Sequence, residues 1–132
     1  METIPDFHDG CLTGLRLREG AATLYLRQVD GSDHDLVLEG LEALHIEDFR
    51  EGNIISRAEI VTGRTPYAHI DFDRLFVPPA PSAGAQYHEK HAAFMKRQMA
   101  RIESGEVCLI VIAPSYGAEV LAICRETACR PA

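Results

Sequence analysis

The sequence contains no apolar run that approaches the roughly 20 residues needed for a membrane-spanning helix. Its opening stretch, METIPDFHDG, is acidic and lacks the apolar core segment of a secretory signal. No internal repeat or low-complexity tract is present. We therefore expect a cytoplasmic protein without a membrane partner.

Basic residues are scarce relative to acidic ones. The chain has 13 Lys and Arg against 20 Asp and Glu, which gives a formal net charge of −7. Nucleic-acid binding depends on the neutralisation of phosphates by basic side chains, so no nucleic-acid partner is expected. An acidic surface allows a basic protein partner, because complementary potentials steer association, although such charge also serves solubility alone.

The four cysteines form no CxxC pair. Cys108 and Cys124 lie in apolar runs, where cysteine acts as a small buried hydrophobe. Cys129 lies in a tail that we expect to be frayed, where it could be a free thiol. Without a secretory signal no structural disulfide is expected, and a zinc site at Cys124 and Cys129 lacks two further ligands.

Several catalytic motifs are also missing. The sequence has no HExxH zinc motif, no G-x-S-x-G nucleophile elbow and no glycine-rich phosphate loop. We therefore find no recognised catalytic constellation.

The stretch 107–125 organises the rest of the chain. Val107–Ile112 is a continuous apolar run rich in β-branched residues, and Glu119–Cys124 is a second one. Turn-forming residues, Pro114 to Gly117, separate them. Because the first run is apolar on both faces, we predict a central antiparallel hairpin covered on both sides, with Cys108 and Cys124 inside.

The preceding part, 11–77, is rich in strand patterns. Leucines alternate with polar residues along three short runs separated by Gly-containing turns, which predicts a three-strand meander with one buried face. Residues 40–50 fit neither period well, although a short strand over 44–46 is favoured. A further strand is predicted over 53–61. Residues 67–77 fit a strand, or a single helical turn within 71–76.

A proline-rich connector, 77–84, precedes a helix predicted over 85–103. Ser82 is a candidate N-cap and Gly105 ends the helix. The apolar stripe of this helix comprises Tyr87, His91, Phe94, Met95, Gln98, Met99 and Ile102. The predicted fold is one α+β domain over 1–132, in which an antiparallel sheet of about six or seven short strands packs against one long amphipathic helix.

Two histidine-containing groups are candidate sites for a divalent metal. His88 and His91 are three residues apart on the helix and could converge on one ion, or His91 could belong to the apolar stripe while His88 is solvated. In a strand, His69, Asp71 and Asp73 would project from one face, as metal ligands or as the charged face of an edge strand.

Ser115, Tyr116 and Gly117 form the exposed part of the predicted hairpin. Side chains on a rigid turn are often used for recognition, so these residues are the candidate binding site for a partner. They could equally serve the turn alone.

The stretch His8-Asp9-Gly10-Cys11-Leu12, followed later by Glu51-Gly52-Asn53-Ile54-Ile55, resembles the openings of small uncharacterised bacterial domains. Some of those domains are associated with toxin-immunity gene neighbourhoods. The resemblance implies an immunity-like, protein-binding role, and it transfers no catalytic or binding residue to this chain.

Three functions follow as hypotheses. The first is a non-enzymatic binding module that uses an acidic surface against a basic protein. The second is a small metal-binding protein, or a metal-dependent enzyme, that uses the His and Asp groups. The third is a structural homo-oligomer built by pairing sheet edges or helices.

Overall fold

The computed structural model describes residues 4–66 and 70–132. They form an antiparallel sheet, one long helix and a short 3₁₀ helix. The strands are Cys11–Arg18 (β1), Ala21–Arg27 (β2), Asp33–Glu39 (β3), Ala43–Glu47 (β4), Asn53–Val61 (β5), Cys108–Tyr116 (β6), Glu119–Cys124 (β7) and Glu126–Pro131 (β8). The helix is Ala85–Ser104 (α1), and the 3₁₀ helix is Phe72–Arg74.

The predicted meander is confirmed, since β1, β2 and β3 pair in sequence as antiparallel neighbours. Gly20 and Gly31 have φ values of +68° and +92° in the two connecting turns, a conformation that glycine adopts without strain. Most leucines of the three strands are buried in one cluster, namely Leu12, Leu24, Leu26, Leu36 and Leu38, whereas Leu17 near the end of β1 is exposed.

The predicted α+β fold with about six or seven strands is wrong, because the described chain is mostly antiparallel sheet and has eight strands. The tail that we expected to be frayed is β8, which pairs with β3 along its whole length. Residues 67–69 lie outside the described residues, and over 70–77 the alternative of a single helical turn within 71–76 is confirmed, since Phe72–Arg74 is the 3₁₀ helix. The prediction that one long helix packs on the sheet holds.

Two bends curl the sheet, whose strand order is β4-β7-β6-β5-β1-β2-β3-β8. The first bend, at Gly40, leads from β3 into β4, and the second, at Arg125, leads from β7 into β8. The Arg125 backbone N–H donates to the carbonyl oxygens of Glu39 and Gly40, at 3.0 and 3.2 Å. A Cβ at Gly40 would lie 2.9 Å from the Cβ of Arg125, so the close approach of the two bends requires glycine.

The curled sheet separates two groups of buried side chains, here called the inner core and the outer core. Along β6 and β7, Ile110, Ile112, Val120, Ala122 and Cys124 point into the inner core. Leu109, Val111, Leu121 and Ile123 point into the outer core, which α1 and the 3₁₀ helix cover with Ile102 and Phe72. The predicted hairpin with two covered faces is therefore confirmed.

The helix begins and ends close to the predicted bounds. Gly84 is its N-cap, and Ser82 makes no capping bond because it lies in the preceding turn. Gly105 has a φ of +85° and ends the helix as predicted. None of the helices in the described residues is long and apolar enough to cross a membrane.

The cysteine side chains lie within or against the inner core, except for Cys11. The four residues all fall in the described ranges and form no disulfide. Cys124 is fully buried directly opposite Cys108, and burial raises the pKa of its thiol to about 12. Cys129, which we expected in a frayed tail, is half-buried in β8 opposite Leu36.

This environment predicts that Cys124 does not react with a thiol reagent in the folded protein, because the thiolate is the reacting species. A disulfide-exchange reagent at about pH 8 should modify Cys124 only after urea is added. The Cys124→Ala variant should lose one thiol from the count in urea and none from the native count. Rapid native modification of Cys124 would contradict its burial.

Candidate functional site

A polar depression lies on the outer face of β7, beside the segment that carries the 3₁₀ helix. It consists of a cavity of about 220 Å³ and a wider, adjoining one of about 430 Å³, which share Arg74 and Glu119. We call the two together the acidic groove. Its charged lining residues are Glu47, Asp48, Arg57, Asp71, Arg74 and Glu119.

One histidine and two glutamates meet in this region. His45 and Glu47 alternate along β4, so both project from the outer face. Glu119 begins β7 directly opposite Glu47, and side chains in that relation are neighbours on one face of a sheet. One nitrogen of His45 and one carboxylate oxygen from each glutamate all lie within 4.8 Å of one another.

Arg74 lies between the two glutamates. Its Nη1 donates to Glu47 Oε2 and to Glu119 Oε1, the latter at 3.0 Å, and its Nε is 3.5 Å from Asp71 Oδ2. The negative charges of Glu119 and then Glu47 raise the pKa of Arg74 above its ordinary value. The glutamates therefore already share one positive charge.

Within the described part of the chain, His45 has no comparable partner. Its Nε2 lies 3.7 Å from Glu47 Oε2, which is too far for a hydrogen bond. That nitrogen is buried and has no hydrogen-bond partner among the described residues. Because a buried polar atom without a partner is unfavourable, Nε2 is available for an additional ligand.

The donor set suits a divalent transition metal. Imidazole nitrogen and carboxylate oxygen bind Zn²⁺ at about 2.0–2.2 Å, so two ligand atoms of a tetrahedral site lie about 3.5 Å apart. The three donor atoms, which all lie within 4.8 Å of one another, have to approach by up to about 1.3 Å, and rotation of the side chains allows this. Three protein ligands leave at least one coordination position open.

Among the described residues, no predicted metal ligand belongs to a group of three or more donors, and the sites at His69, Asp71 and Asp73 and at His88 and His91 stay predictions. His69 lies outside the described residues. Asp71 accepts from the Asp73 backbone N–H at 3.0 Å and thereby caps the 3₁₀ helix. The Asp73 carboxylate lies 4.0 Å from His91 Nε2, whereas the described chain places no third ligand with His88 and His91.

Sequence reasoning missed His45, Glu47 and Glu119. Two of them were visible as an alternating His-x-Glu pair around the short strand predicted over 44–46. Glu119 could not be added, because nothing in the local pattern shows that β4 pairs with β7.

The candidate binding residues of the hairpin lie at its end, beside the acidic groove. Tyr116 is half exposed, and the guanidinium carbon of Arg50 lies 5.6 Å from its ring centroid. Ser115 is exposed at the end of β6. Gly117 forms the turn and packs against Asn53. Binding at Ser115, Tyr116 and Gly117 stays a prediction, and so does the basic protein partner expected for the acidic surface.

Comparison with known proteins returned no protein-family model, curated protein or solved structure that matches the chain.

Proposed function

We propose that this protein is a binding module that holds a divalent transition-metal ion in the acidic groove, through His45, Glu47 and Glu119. The observation that carries the proposal is the convergence of three donor atoms from two neighbouring strands to within 4.8 Å. A mixed nitrogen and oxygen set favours Zn²⁺ or Mn²⁺ over Mg²⁺, which prefers oxygen ligands and water.

The charge of the groove supports the proposal. Its lining contains four carboxylates, Glu47, Asp48, Asp71 and Glu119, against the two guanidiniums of Arg57 and Arg74. The whole chain also carries a net charge of −7. A concave surface of one dominant sign concentrates counter-ions, so cations are attracted to this groove.

The rigidity of the supporting strands also supports it. Val120 and Leu121, which follow Glu119 in β7, are buried on opposite sides of the sheet. All five residues of β4 pair with β7. Ligands on such strands keep their relative positions, and preorganised ligands lose less entropy when they bind.

We predict one-to-one binding of Zn²⁺ to chelator-treated protein, measured by isothermal titration calorimetry, with weaker binding of Mg²⁺. His45→Ala should weaken Zn²⁺ binding by at least about 100-fold, because changes to residues that merely support a ligand already cost about 10–100-fold. Glu119→Gln should also weaken binding, since it removes an anionic ligand.

His88→Ala is the matched control, because His88 is a half-buried histidine on α1 outside the donor set. It should bind Zn²⁺ as tightly as the unmodified protein. Absence of stoichiometric binding would overturn the proposal. An equal loss of Zn²⁺ affinity in His45→Ala and His88→Ala would show that the metal does not bind in the acidic groove.

A further inference from the structure

Arg74 occupies the position of a cation in the acidic groove. Its Nη1 contacts Glu47 Oε2 and Glu119 Oε1, which belong to the two carboxylates of the donor set. Glu47 Oε2 is also the oxygen 3.7 Å from His45 Nε2. A metal held by His45 and Glu47 would therefore bind the carboxylate that Arg74 already contacts.

Simultaneous binding is also opposed by charge. A divalent ion bound to Glu47 and Glu119 would lie against the Arg74 guanidinium, because Nη1 is in hydrogen-bond contact with both carboxylates. Arginine cannot relieve this repulsion by losing its proton. The ion and the guanidinium thus compete for one pair of carboxylates.

From this competition, and on the basis of the proposed metal-binding function, we infer that Arg74 is an internal counter-cation that the metal displaces. In the metal-free protein Arg74 neutralises Glu47 and Glu119, whose mutual repulsion would otherwise separate them. In the metal-bound protein the Arg74 side chain has turned away from the two glutamates. Because its contacts with them must be broken first, the affinity of the protein for the metal is lower than it would be without Arg74.

The contacts of Arg74 are weak enough to be displaced. The side chains of Arg74, Glu47 and Glu119 are 42%, 54% and 28% exposed, so solvent screens the pairs. An exposed ion pair shifts an equilibrium by about fivefold at most, and two pairs that share one guanidinium by about tenfold. Asp71, 3.5 Å from Arg74 Nε, offers the displaced guanidinium another carboxylate.

The segment that carries Arg74 remains in place during the exchange. Ile70 and Phe72, on the N-terminal side of Arg74, are buried in the outer core. Displacement therefore requires rotation of one long side chain, and the 3₁₀ helix stays packed on the sheet.

The test is Zn²⁺ titration of three full-length proteins, namely the unmodified chain, Arg74→Gln and Arg97→Gln. Arg97→Gln removes the same charge from an exposed position on α1 and is the control. Arg74→Gln should bind Zn²⁺ about tenfold more tightly than the unmodified chain. Arg97→Gln should remain within about twofold of it, as expected for an exposed charge that solvent and salt screen.

The outcomes separate the two proposals. Equal or weaker binding in Arg74→Gln, with binding retained in the unmodified chain, overturns displacement and leaves the metal site standing. Absence of binding in all three proteins overturns the metal site and, with it, the displacement.

A second measurement covers the case in which Arg74→Gln does not fold. Zn²⁺ added to the unmodified protein should shift the Nε–Hε resonance of Arg74, identified by its absence from the spectrum of Arg74→Lys. An unchanged resonance at saturating Zn²⁺ would contradict displacement.

Discussion

Replacement of Asn53 by alanine is expected to lower the free energy of unfolding by about 3 kcal/mol, since it leaves several buried polar groups without partners. Asn53 is 2% exposed, at the start of β5. Its Oδ1 accepts from the backbone N–H groups of Arg50 and Ala118, at 2.7 and 2.9 Å. Its Nδ2 donates to the carbonyl oxygens of Leu12 and Arg50, at 3.2 and 2.6 Å.

One side chain thus joins β1, the loop before β5 and the turn between β6 and β7. The alanine side chain can form none of these hydrogen bonds. Urea denaturation followed by circular dichroism measures the effect. Gln86→Ala, at an exposed position of α1, is the control and should change the free energy of unfolding by less than about 0.5 kcal/mol.

A double-mutant cycle with Gly117 makes the prediction sharper. Gly117 has a φ of +86°, and a Cβ at this position would lie 2.4 Å from Asn53 Oδ1. Gly117→Ala should therefore destabilise the unmodified protein through backbone strain and this clash. In the Asn53→Ala background it should cost less, because the oxygen is gone. Additive effects would contradict the contact between Asn53 and Gly117.

Leu109→Ala and Ile110→Ala are each expected to lower the free energy of unfolding by about 3 kcal/mol. The two neighbouring residues of β6 point to opposite sides of the sheet, and both are almost completely buried. Leu109 belongs to the outer core and Ile110 to the inner core. Each truncation leaves a cavity that close-packed neighbours fill only in part.

Leu17→Ala is the matched control, because Leu17 is 59% exposed at the end of β1. It should cost less than about 1 kcal/mol, since little apolar area is lost from the interior. Thermal and urea denaturation of the three variants measure the differences. A large loss for only one of Leu109 and Ile110 would contradict a hairpin covered on both faces.

The sequence predicted correctly those strands and the helix whose own residues carry a clear hydrophobic pattern. Alternating leucines identified β1 to β3, and continuous apolar runs identified β6 and β7. Apolar residues at helical spacing identified α1. β8 was missed because ETACRP has no strong alternation, and it becomes a strand only because β3 offers it an unpaired edge.

The candidate site was missed for a related reason. The metal ligands predicted from the sequence were close together along the chain, as His88 and His91 are. The donors that meet in the structure lie on β4 and β7, which are brought together by pairing between strands far apart in sequence. Asp71 and Asp73 fall at a 3₁₀ helix, where the Asx cap directs one carboxylate to the backbone.

The bends at Gly40 and Arg125 also have a consequence for the rate of folding. They place β3 against β8 and β4 against β7, so strands from the first part of the chain pair with strands near residue 131. Such strand pairs form only after a long loop has been closed. The chain loses conformational entropy in that closure before the new contacts between the strands can offset the loss. The hairpins β1–β2 and β6–β7 close short loops, so they are expected to form early, and the bent strands later join them into one sheet.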